Sequence, residues 1–194
     1  MPDHDAPIDD LDEDLSIRAE YERLGPPEYY RRHGREYRNP HEHAITRGLA
    51  LAVARWSPDL SHVLDLAAGS GEVTLALRSA SASKVDGIDP YTFDAYARRT
   101  GQPAERFTFE DIAAGVLIDR QFSLIVCSFA LHLCEESRLP RVATQLAMIA
   151  PMLWIVTPHK RPRLQPAWGW TDVDEFVVER VRLRCHVSTM CFSG

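Results

Sequence analysis

The sequence predicts an α/β fold, a three-layer doubly wound domain in which a mostly parallel sheet carries helices on both faces. Short β-branched runs alternate with stretches of helical periodicity along most of the chain. The β-branched runs are apolar on both faces, which is typical of parallel strands covered from two sides. One of these runs ends in a glycine-rich turn that leads directly into a helix. In a sheet of this kind, such a turn normally lines the ligand site.

The beginning of the chain predicts a tail and a helical segment in front of that domain. The first fourteen residues include seven acidic ones and no Lys or Arg, so we expect residues 1–14 to be a disordered acidic tail. Although the formal net charge is −6, the remainder is then nearly neutral and offers no global electrostatic argument for nucleic acid or a membrane surface. Helical periodicity over residues 15–57, with the polar hinge "RNPHEH", predicts an N-terminal helical lid segment, and residues 58–194 form the α/β domain.

Within the α/β domain, each predicted element follows from local periodicity. The strands are predicted at residues 62–67, 84–89, 106–111, 122–129 and 152–158, and the helices at residues 71–81, 92–101 and 139–150. The final segment, "DVDEFVVERVRLRCHVSTMCF", predicts a helix followed by one long strand or by a poorly marked hairpin. The sequence leaves open whether the C-terminal strands of the sheet are complete.

The cysteines and the start of the chain indicate the compartment. Cys127, Cys134, Cys185 and Cys191 show no CxxC spacing, no charged-then-apolar leader precedes the acidic start, and no apolar run reaches about 18 residues. We therefore expect reduced thiols, a cytoplasmic location and no membrane contact. His41 and His43 lie two residues apart but lack a supporting cluster of ligands, so we predict no metal site.

The turn "DLAAGSGE" is the first candidate for chemistry. Gly69 and Gly71 suit a backbone that a ligand approaches closely, although two glycines can equally serve only to pack the helix on the sheet. A dinucleotide-binding turn has a third glycine, whereas this chain has Thr74 at that position. Glu72 also places a negative charge in the first helical turn, which would repel a pyrophosphate. Asp65, four residues before Gly69, suits a ligand with a positive charge.

Further acidic residues end the next two predicted strands. Asp89 lies near the offset at which a carboxylate accepts the hydroxyls of a ribose. Pro90 and Tyr91 could flank a purine ring, and Asp111 with Ile112 could receive an exocyclic amine. Each acid alone also suits a helix cap or a solvated loop. Their occurrence at three successive strand ends favours a binding site.

Taken together, these residues resemble the class I S-adenosylmethionine-dependent methyltransferases of the seven-strand type. "VLDLAAGSGEVTLAL" looks like their first motif, "GIDPY" the second, "FEDI" the third, and "FSLIVCSFALHL" the fourth strand with its loop; the similarity spans about residues 60–160. Ala67 departs from the pattern, since the family has a glycine there. The resemblance implies S-adenosylmethionine as cofactor. The implied cofactor contacts are Asp65, Ala67, Gly69 and Gly71 at the methionine part, Asp89 at the ribose, Pro90, Asp111 and Ile112 at the adenine, and Ser128 after the fourth strand.

The resemblance also suggests how the cofactor is covered and where the acceptor binds. In such enzymes an N-terminal segment often folds over the cofactor, and here Tyr30, Tyr37, Arg38 and His41 are placed to do so, with Arg38 able to pair with the cofactor's carboxylate. The substrate would lie beside "SFALHLCEES", where His132 has a pKa suited to proton removal. His132 could equally fill space or cap a helix, and methyl transfer needs little beyond an in-line approach.

We therefore expect a methyltransferase acting on a small-molecule acceptor. The four-residue motif N/D/S-P-P-Y/F, with which such enzymes bind a planar exocyclic amine, is absent, and this disfavours the amines of adenine and glutamine as acceptors. The loop "TPHKRPRLQPAWGW" interleaves basic and aromatic residues and could bind RNA, but the neutral remainder of the chain disfavours nucleic acid. Two alternatives stay open: a catalytically inactive cofactor-binding partner subunit, and an RNA or protein methyltransferase.

Overall fold

A computed structural model describes residues 23–190 of the protein. The predicted tail, residues 1–14, and the start of the predicted lid segment lie outside the described residues. Helix α1 spans Pro26–His33 and α2 spans Glu42–Trp56. Helical structure is broken over residues 34–41, which overlaps the predicted hinge "RNPHEH", although the last two residues of that hinge already belong to α2.

A six-stranded sheet forms the centre of the domain, with strand order β2-β1-β3-β4-β6-β5. Its strands are β1 (Val63–Leu66), β2 (Val85–Ile88), β3 (Leu124–Ser128), β4 (Met152–Thr157), β5 (Trp170–Val178) and β6 (Val181–Ser188). The first four strands pair in parallel, whereas β6 pairs antiparallel with both β4 and β5. The sheet is thus mostly parallel, as predicted, but the seven-strand expectation is not confirmed.

Helices cover both faces of this sheet and bury two separate apolar clusters. The helices within the domain are α3 (Glu72–Ser79), α4 (Phe93–Thr100), α5 (Phe109–Ala113) and α6 (Leu139–Ile149). Consecutive residues of one strand point to opposite faces: on β3, Leu124 and Val126 pack in a cluster with α2 and α3, whereas Ile125 and Cys127 pack in a cluster with α5 and α6. This arrangement confirms the three-layer α/β prediction.

Residues 106–111 do not form the strand that was predicted. An isolated bridge between Ile88 and Glu105 stands in its place, and α5 begins at Phe109. Thr108 and Asp111 form a capping box, in which each side chain accepts a hydrogen bond from the backbone N–H of the other. Because this reciprocal capping satisfies backbone donors at a helix start, the chain turns into a helix here instead of continuing along the sheet edge.

The C-terminal segment is a hairpin, so the helix predicted at its start is wrong. Strands β5 and β6 are joined by Glu179 and Arg180, which have φ values of 48° and 67°. Two left-handed residues fit the twist of a tight hairpin, but such turns normally show glycine or asparagine. Their absence explains why the hairpin was poorly marked. Both antiparallel strands are present, whereas at the opposite edge residues 23–190 form only the isolated bridge beside β2 where a strand was predicted.

Candidate functional site

A cleft of about 260 Å³ opens at the carboxyl ends of the parallel strands. Strand order reverses between β1 and β3. The strand that follows β1 in the sequence, β2, lies on one side of this pair, and the strand that follows β3, which is β4, lies on the other. Ligands bind at this position in open α/β sheets. The residues lining the cleft are Tyr37, Asn39, Asp65, Leu66, Ala67, Ala68, Gly69, Glu72, Val73, Ile88, Asp89, Pro90, Tyr91, Thr92, Phe107, Thr108, Phe109, Glu110, Ile112, Ser128, Phe129, Ala130, Leu133, Cys134, Glu135 and Arg138.

The glycine-rich turn forms the floor of the cleft, and its two glycines play different parts. Gly69 has a φ of 58°, and a Cβ there would lie 3.4 Å from Tyr37 Cε1 and 3.3 Å from Glu72 Oε2. Gly71, with a φ of 90°, is not among the residues that line the cleft; a Cβ there would clash with Thr100 Cγ2. Gly69 therefore faces the ligand space, whereas Gly71 lets α3 pack against α4.

Asp65 is a fully buried carboxyl group at the bottom of this cleft. Its Oδ2 accepts hydrogen bonds from the backbone N–H of Thr74 (3.0 Å) and from Thr74 Oγ1 (2.7 Å). Its Oδ1 has no hydrogen-bond partner within the described part of the chain. Burial raises the pKa of Asp65 to about 8, with smaller effects from the hydrogen bonds and from the charge of Glu72. A donor or cation placed in the cleft would satisfy Oδ1 and favour the ionised form.

Asp89 lines the cleft and also organises the loop around it. Its Oδ1 accepts from the backbone N–H groups of Tyr91 (2.8 Å) and Thr92 (2.7 Å), and its Oδ2 accepts from that of Gly69 (3.1 Å). Burial raises the pKa of Asp89, although these hydrogen bonds oppose the change. The carboxylate thus ties the end of β2 to the glycine-rich turn, and the adjacent Pro90 lines the cleft beside it.

The third predicted acid does not reach the cleft. Asp111 Oδ2 accepts from the backbone N–H and the Oγ1 of Thr108, both at 2.8 Å, and these bonds lower the pKa of Asp111. The capping role of its carboxylate orients Asp111 away from a ligand. Ile112, which was predicted with it, does line the cleft, and so do the aromatic rings of Phe107 and Phe109.

The end of β3 supplies a second unsatisfied polar atom. Ser128 lines the cleft, and its buried Oγ has no hydrogen-bond partner among the described groups. The next residue, Phe129, has a φ of 54°, an uncommon and strained value for a residue with a large side chain. Its ring stacks on that of His41, with centroids 5.0 Å apart. This contact joins the segment before α2 to the strand end.

His132, which was predicted to lie at the acceptor, is not among the residues that line the cleft. It lies in a 3₁₀ turn, Leu131–Leu133, and its ring is 4.4 Å from that of His159, measured between centroids. Partial burial, and then the neighbouring imidazole, lower the pKa of His132 to about 4. A base with that pKa is largely unprotonated at neutral pH but accepts a proton only weakly.

The segment between α1 and α2 closes one side of the cleft. Tyr37 and Asn39 line it, whereas Arg38 is exposed and does not. The side chain of Tyr30 lies outside the described part of the structure. Arg38 is therefore not placed to pair with a ligand's carboxylate, and Tyr37 is the residue of this segment that lies on the glycine-rich turn.

The charge of Glu72 is paired, which changes the argument made for it from the sequence. Its Oε1 accepts from Arg99 Nη1 (2.9 Å) and from the backbone N–H of Asn39 (3.1 Å). Arg99 also pairs with Glu42. The negative charge in the first turn of α3 is thus neutralised by the protein itself, so it does not by itself exclude a phosphate.

The basic and aromatic loop after β4 is anchored to the sheet. Arg184, almost fully buried, donates to the carbonyl oxygens of Lys160 (2.8 Å), Pro162 (3.0 Å) and His159 (3.3 Å). Trp170 is buried and donates from Nε1 to the carbonyl of Ala143 at 2.8 Å. This tryptophan belongs to the core, so it provides no exposed ring on which a base could stack.

Residues 23–190 contain no group of three or more His, Cys, Asp or Glu side chains that could hold a metal ion. Over the same residues, no helix combines the length and apolar character needed to cross a bilayer.

Sequence reasoning missed several residues of the cleft. Phe107 and Phe109 occur as "FTF" within the predicted strand at residues 106–111, and this aromatic pair was a usable signal. Phe129 follows a buried strand and could have been suspected for that reason. Asn39 and Arg99 carried no local signal, because their importance arises from contacts with residues more than 25 positions away.

Comparison with known proteins connects this geometry to a family. Residues 63–150 match the family described as "Methyltransferase domain". An uncharacterised protein from Schizosaccharomyces pombe is 31% identical over 238 residues, an alignment that covers 92% of this chain and 94% of that protein.

Two solved structures are similar to the fold. Magnesium protoporphyrin IX methyltransferase from Synechocystis PCC 6803 with bound S-adenosylmethionine has a TM-score of 0.58 at 15% identity, covering 96% of this chain and all of that one. The 1,6-didemethyltoxoflavin-N1-methyltransferase from Burkholderia thailandensis, with bound 1,6-didemethyltoxoflavin and S-adenosylhomocysteine, has a TM-score of 0.58 at 17% identity, covering 96% of this chain and 93% of that one. At such identities the likeness concerns the fold.

Proposed function

Because the chain belongs to the class I S-adenosylmethionine-dependent methyltransferases, we propose that it transfers the methyl group of S-adenosylmethionine to a small-molecule acceptor. The cleft at the strand ends is the proposed cofactor site. The acceptor would enter beside Phe129 and His41, where the strand end of β3 meets the segment before α2.

One observation carries the proposal: two buried polar atoms without partners, Asp65 Oδ1 and Ser128 Oγ, belong to residues lining the same cleft. Buried polar groups are almost always hydrogen-bonded, so two such atoms beside one cavity indicate a polar ligand. A carboxylate suits an ammonium group, and a hydroxyl can donate or accept. The amino-acid part of S-adenosylmethionine carries the groups that would satisfy both atoms.

The other lining residues fit the rest of the cofactor. Asp89 would accept from the ribose hydroxyls, while Pro90, Phe107 and Ile112 offer apolar surface to the adenine ring. Gly69 allows the ligand to approach the backbone closely. When bound, S-adenosylmethionine supplies a methyl group on a positively charged sulfur. The residues of this chain would then hold that methyl group in line with the acceptor and exclude water.

The proposed acceptor class rests on the shape of the site and on relatives. Tyr37 and Asn39 cover one side of the cleft, which favours an acceptor small enough to fit beneath them. The similar structures named above are methyltransferases of a porphyrin and of a toxoflavin precursor. We propose the cytoplasm as the location, since Cys127, Cys134 and Cys185 are free thiols, as in a reducing compartment.

Calorimetry with S-adenosylmethionine, S-adenosylhomocysteine and NAD tests the cofactor. We expect both adenosyl ligands to bind and NAD to give no signal; saturation by NAD with silence from the other two would refute the proposal.

Gly69→Ala should abolish binding because its Cβ would project into the space between Tyr37 and Glu72. Gly101→Ala is the matched control, because Gly101 also has a positive φ, 74°, but its Cβ would meet nothing within 4 Å. Equal affinities of the two variants would contradict the placement of the site.

Methyl transfer tests the acceptor class. The protein is incubated with a radiolabelled methyl donor and with three separate fractions of cell extract: small molecules, RNA and protein. We expect label in the small-molecule fraction. Label in RNA or protein would establish the alternative enzyme class, and binding of the cofactor without transfer to any fraction would favour the inactive partner subunit.

A further inference from the structure

Arg99 joins three parts of the site, although it does not line the cleft. It lies near the end of α4, with 16% of its side chain exposed. Its Nη1 donates to Glu72 Oε1 (2.9 Å), to Ser70 Oγ (2.9 Å) and to the carbonyl oxygen of Ser70 (3.3 Å). Its Nη2 donates to Glu42. One guanidinium thus connects α4, the glycine-rich turn and the first residue of α2.

Glu72 needs this cation because its carboxylate is 4% exposed. A buried carboxylate without a partner is costly, and a guanidinium satisfies it with charge and directed N–H groups together. Glu72 also lines the cleft. Its charge would therefore face the carboxylate of an amino-acid ligand if Arg99 did not neutralise it.

The same network fixes the position of Tyr37. The backbone N–H of Asn39 donates to Glu72 Oε1 at 3.1 Å, and Glu42 pairs with Arg99. These two bonds hold residues 39–42, the segment that directly follows Tyr37. The Tyr37 ring in turn lies against Gly69, where a Cβ would be 3.4 Å from Cε1.

We propose that Arg99 is a positioning residue for the amino-acid end of the cofactor. It keeps the segment of residues 37–42 closed over the glycine-rich turn, and it cancels the charge of Glu72 where the cofactor's carboxylate binds. This inference rests on the proposed function, and it assigns a specific task to a residue outside the cleft. Loss of Arg99 should weaken ligands that carry the amino-acid part and spare ligands that lack it.

The test compares S-adenosylhomocysteine with 5′-methylthioadenosine, which has the same nucleoside but no amino-acid group. Affinities of both are measured by calorimetry for the wild-type protein, Arg99→Met and Arg99→Lys. Arg98→Met is the matched control, because Arg98 is the exposed neighbour on the same helix. We expect Arg99→Met to bind S-adenosylhomocysteine at least tenfold more weakly with methylthioadenosine within about twofold, Arg99→Lys to restore part of the loss, and Arg98→Met to match the wild type.

Hydrogen exchange of residues 37–42 provides the second measurement. We expect faster exchange in Arg99→Met than in the wild type without ligand, and in Arg98→Met no change. Unchanged affinity for S-adenosylhomocysteine in a folded Arg99→Met would overturn the inference, and so would an equal loss for both ligands. If Arg99→Met does not fold, Arg99→Lys decides by the same comparison. A wild-type protein that binds neither ligand refutes the proposed function instead.

Discussion

Replacing Asp65 by Asn should stabilise the protein in the absence of cofactor and weaken cofactor binding. Asn has the same shape as Asp. In the wild-type protein the backbone N–H and Oγ1 of Thr74 donate to Oδ2 of Asp65, and the amide oxygen of Asn can still accept both hydrogen bonds. What the change removes is the ability to ionise at a fully buried position. The two effects have opposite signs, so they separate a functional role from a purely structural one.

The magnitude follows from the pKa of Asp65, which burial raises from 3.8 to about 8. At pH 7 the folded protein keeps the group protonated while the unfolded chain ionises it, which costs about 4 kcal/mol at 1.36 kcal/mol per pH unit. Asn avoids this cost. Its NH₂ group, however, takes the place of Oδ1 and has no acceptor there, and a buried donor without an acceptor costs about 1–3 kcal/mol of stability. We expect a net gain of roughly 2 kcal/mol, or about 5 °C in Tm.

The dependence on pH gives the sharper signature. Between pH 4 and pH 8 the folded state binds one proton more than the unfolded state at Asp65, so the contribution of this group to stability falls as the pH rises. The advantage of Asp65→Asn should therefore grow from pH 5 to pH 8. Below pH 4 both states carry the proton and the advantage should vanish, apart from the effects of the unpaired amide.

Thermal melts at pH 5, 6, 7 and 8, with and without S-adenosylhomocysteine, provide the assay. Asp86→Asn is the control, and its effect on stability should have the opposite sign. Burial would raise the pKa of Asp86, but hydrogen bonds from His62 and Lys84 outweigh it and lower this pKa, so loss of the carboxylate should destabilise the protein. An Asp65→Asn protein that is less stable than the wild type at pH 8, or whose difference does not change with pH, would refute this reasoning. So would undiminished stabilisation of the variant by S-adenosylhomocysteine.

Three further substitutions test other parts of the structure. Ala67→Gly should stabilise the protein by about 1 kcal/mol, measured by urea unfolding, because Ala67 has a φ of 56° and glycine adopts it without strain; a loss of stability would show that the methyl group packs usefully. His132→Gln should leave kcat within about twofold, since His132 does not line the cleft, and a hundredfold loss would make it the base. Arg184→Met should destabilise the fold by about 3 kcal/mol, because it removes one of the arginines that pair with Glu175 and takes the donor away from three carbonyl oxygens; a Tm equal to that of the wild type would contradict the anchoring of the loop.

The sequence was sufficient for β1–β4, for α3, α4 and α6, and for the position of the cleft. Their signals are local: a buried strand shows a β-branched apolar run, a packed helix shows a repeat of three or four, and a strand-to-helix turn needs glycine. Once β1 and its turn were located, the rule for open α/β sheets placed the ligand at the strand ends without any knowledge of distant contacts.

The tertiary structure decided what depends on partners far along the chain. The C-terminal hairpin is such a case, because its turn contains no glycine and its strands are held by the pairing of β6 with β5 and with β4. This outcome does not follow from propensity, because competing local structures of similar energy are selected by long-range pairing. The helix that begins at Phe109 is different: Thr108 and Asp111 form a local capping signal, which the strand prediction over residues 106–111 overlooked.

The candidate site divides in the same way. Sequence alone identified Asp65, Gly69 and Asp89 as residues of one cleft, because chain order fixes which strand ends meet. It left open whether the carboxylate of Asp111 caps a helix or faces a ligand, and it could not tell that the ring of His132 lies against His159. Nor could it find Arg99, whose partners lie 27 and 57 positions away. The side-chain directions and ion pairs that decide which residues can face a ligand are set only when the helices pack on the sheet.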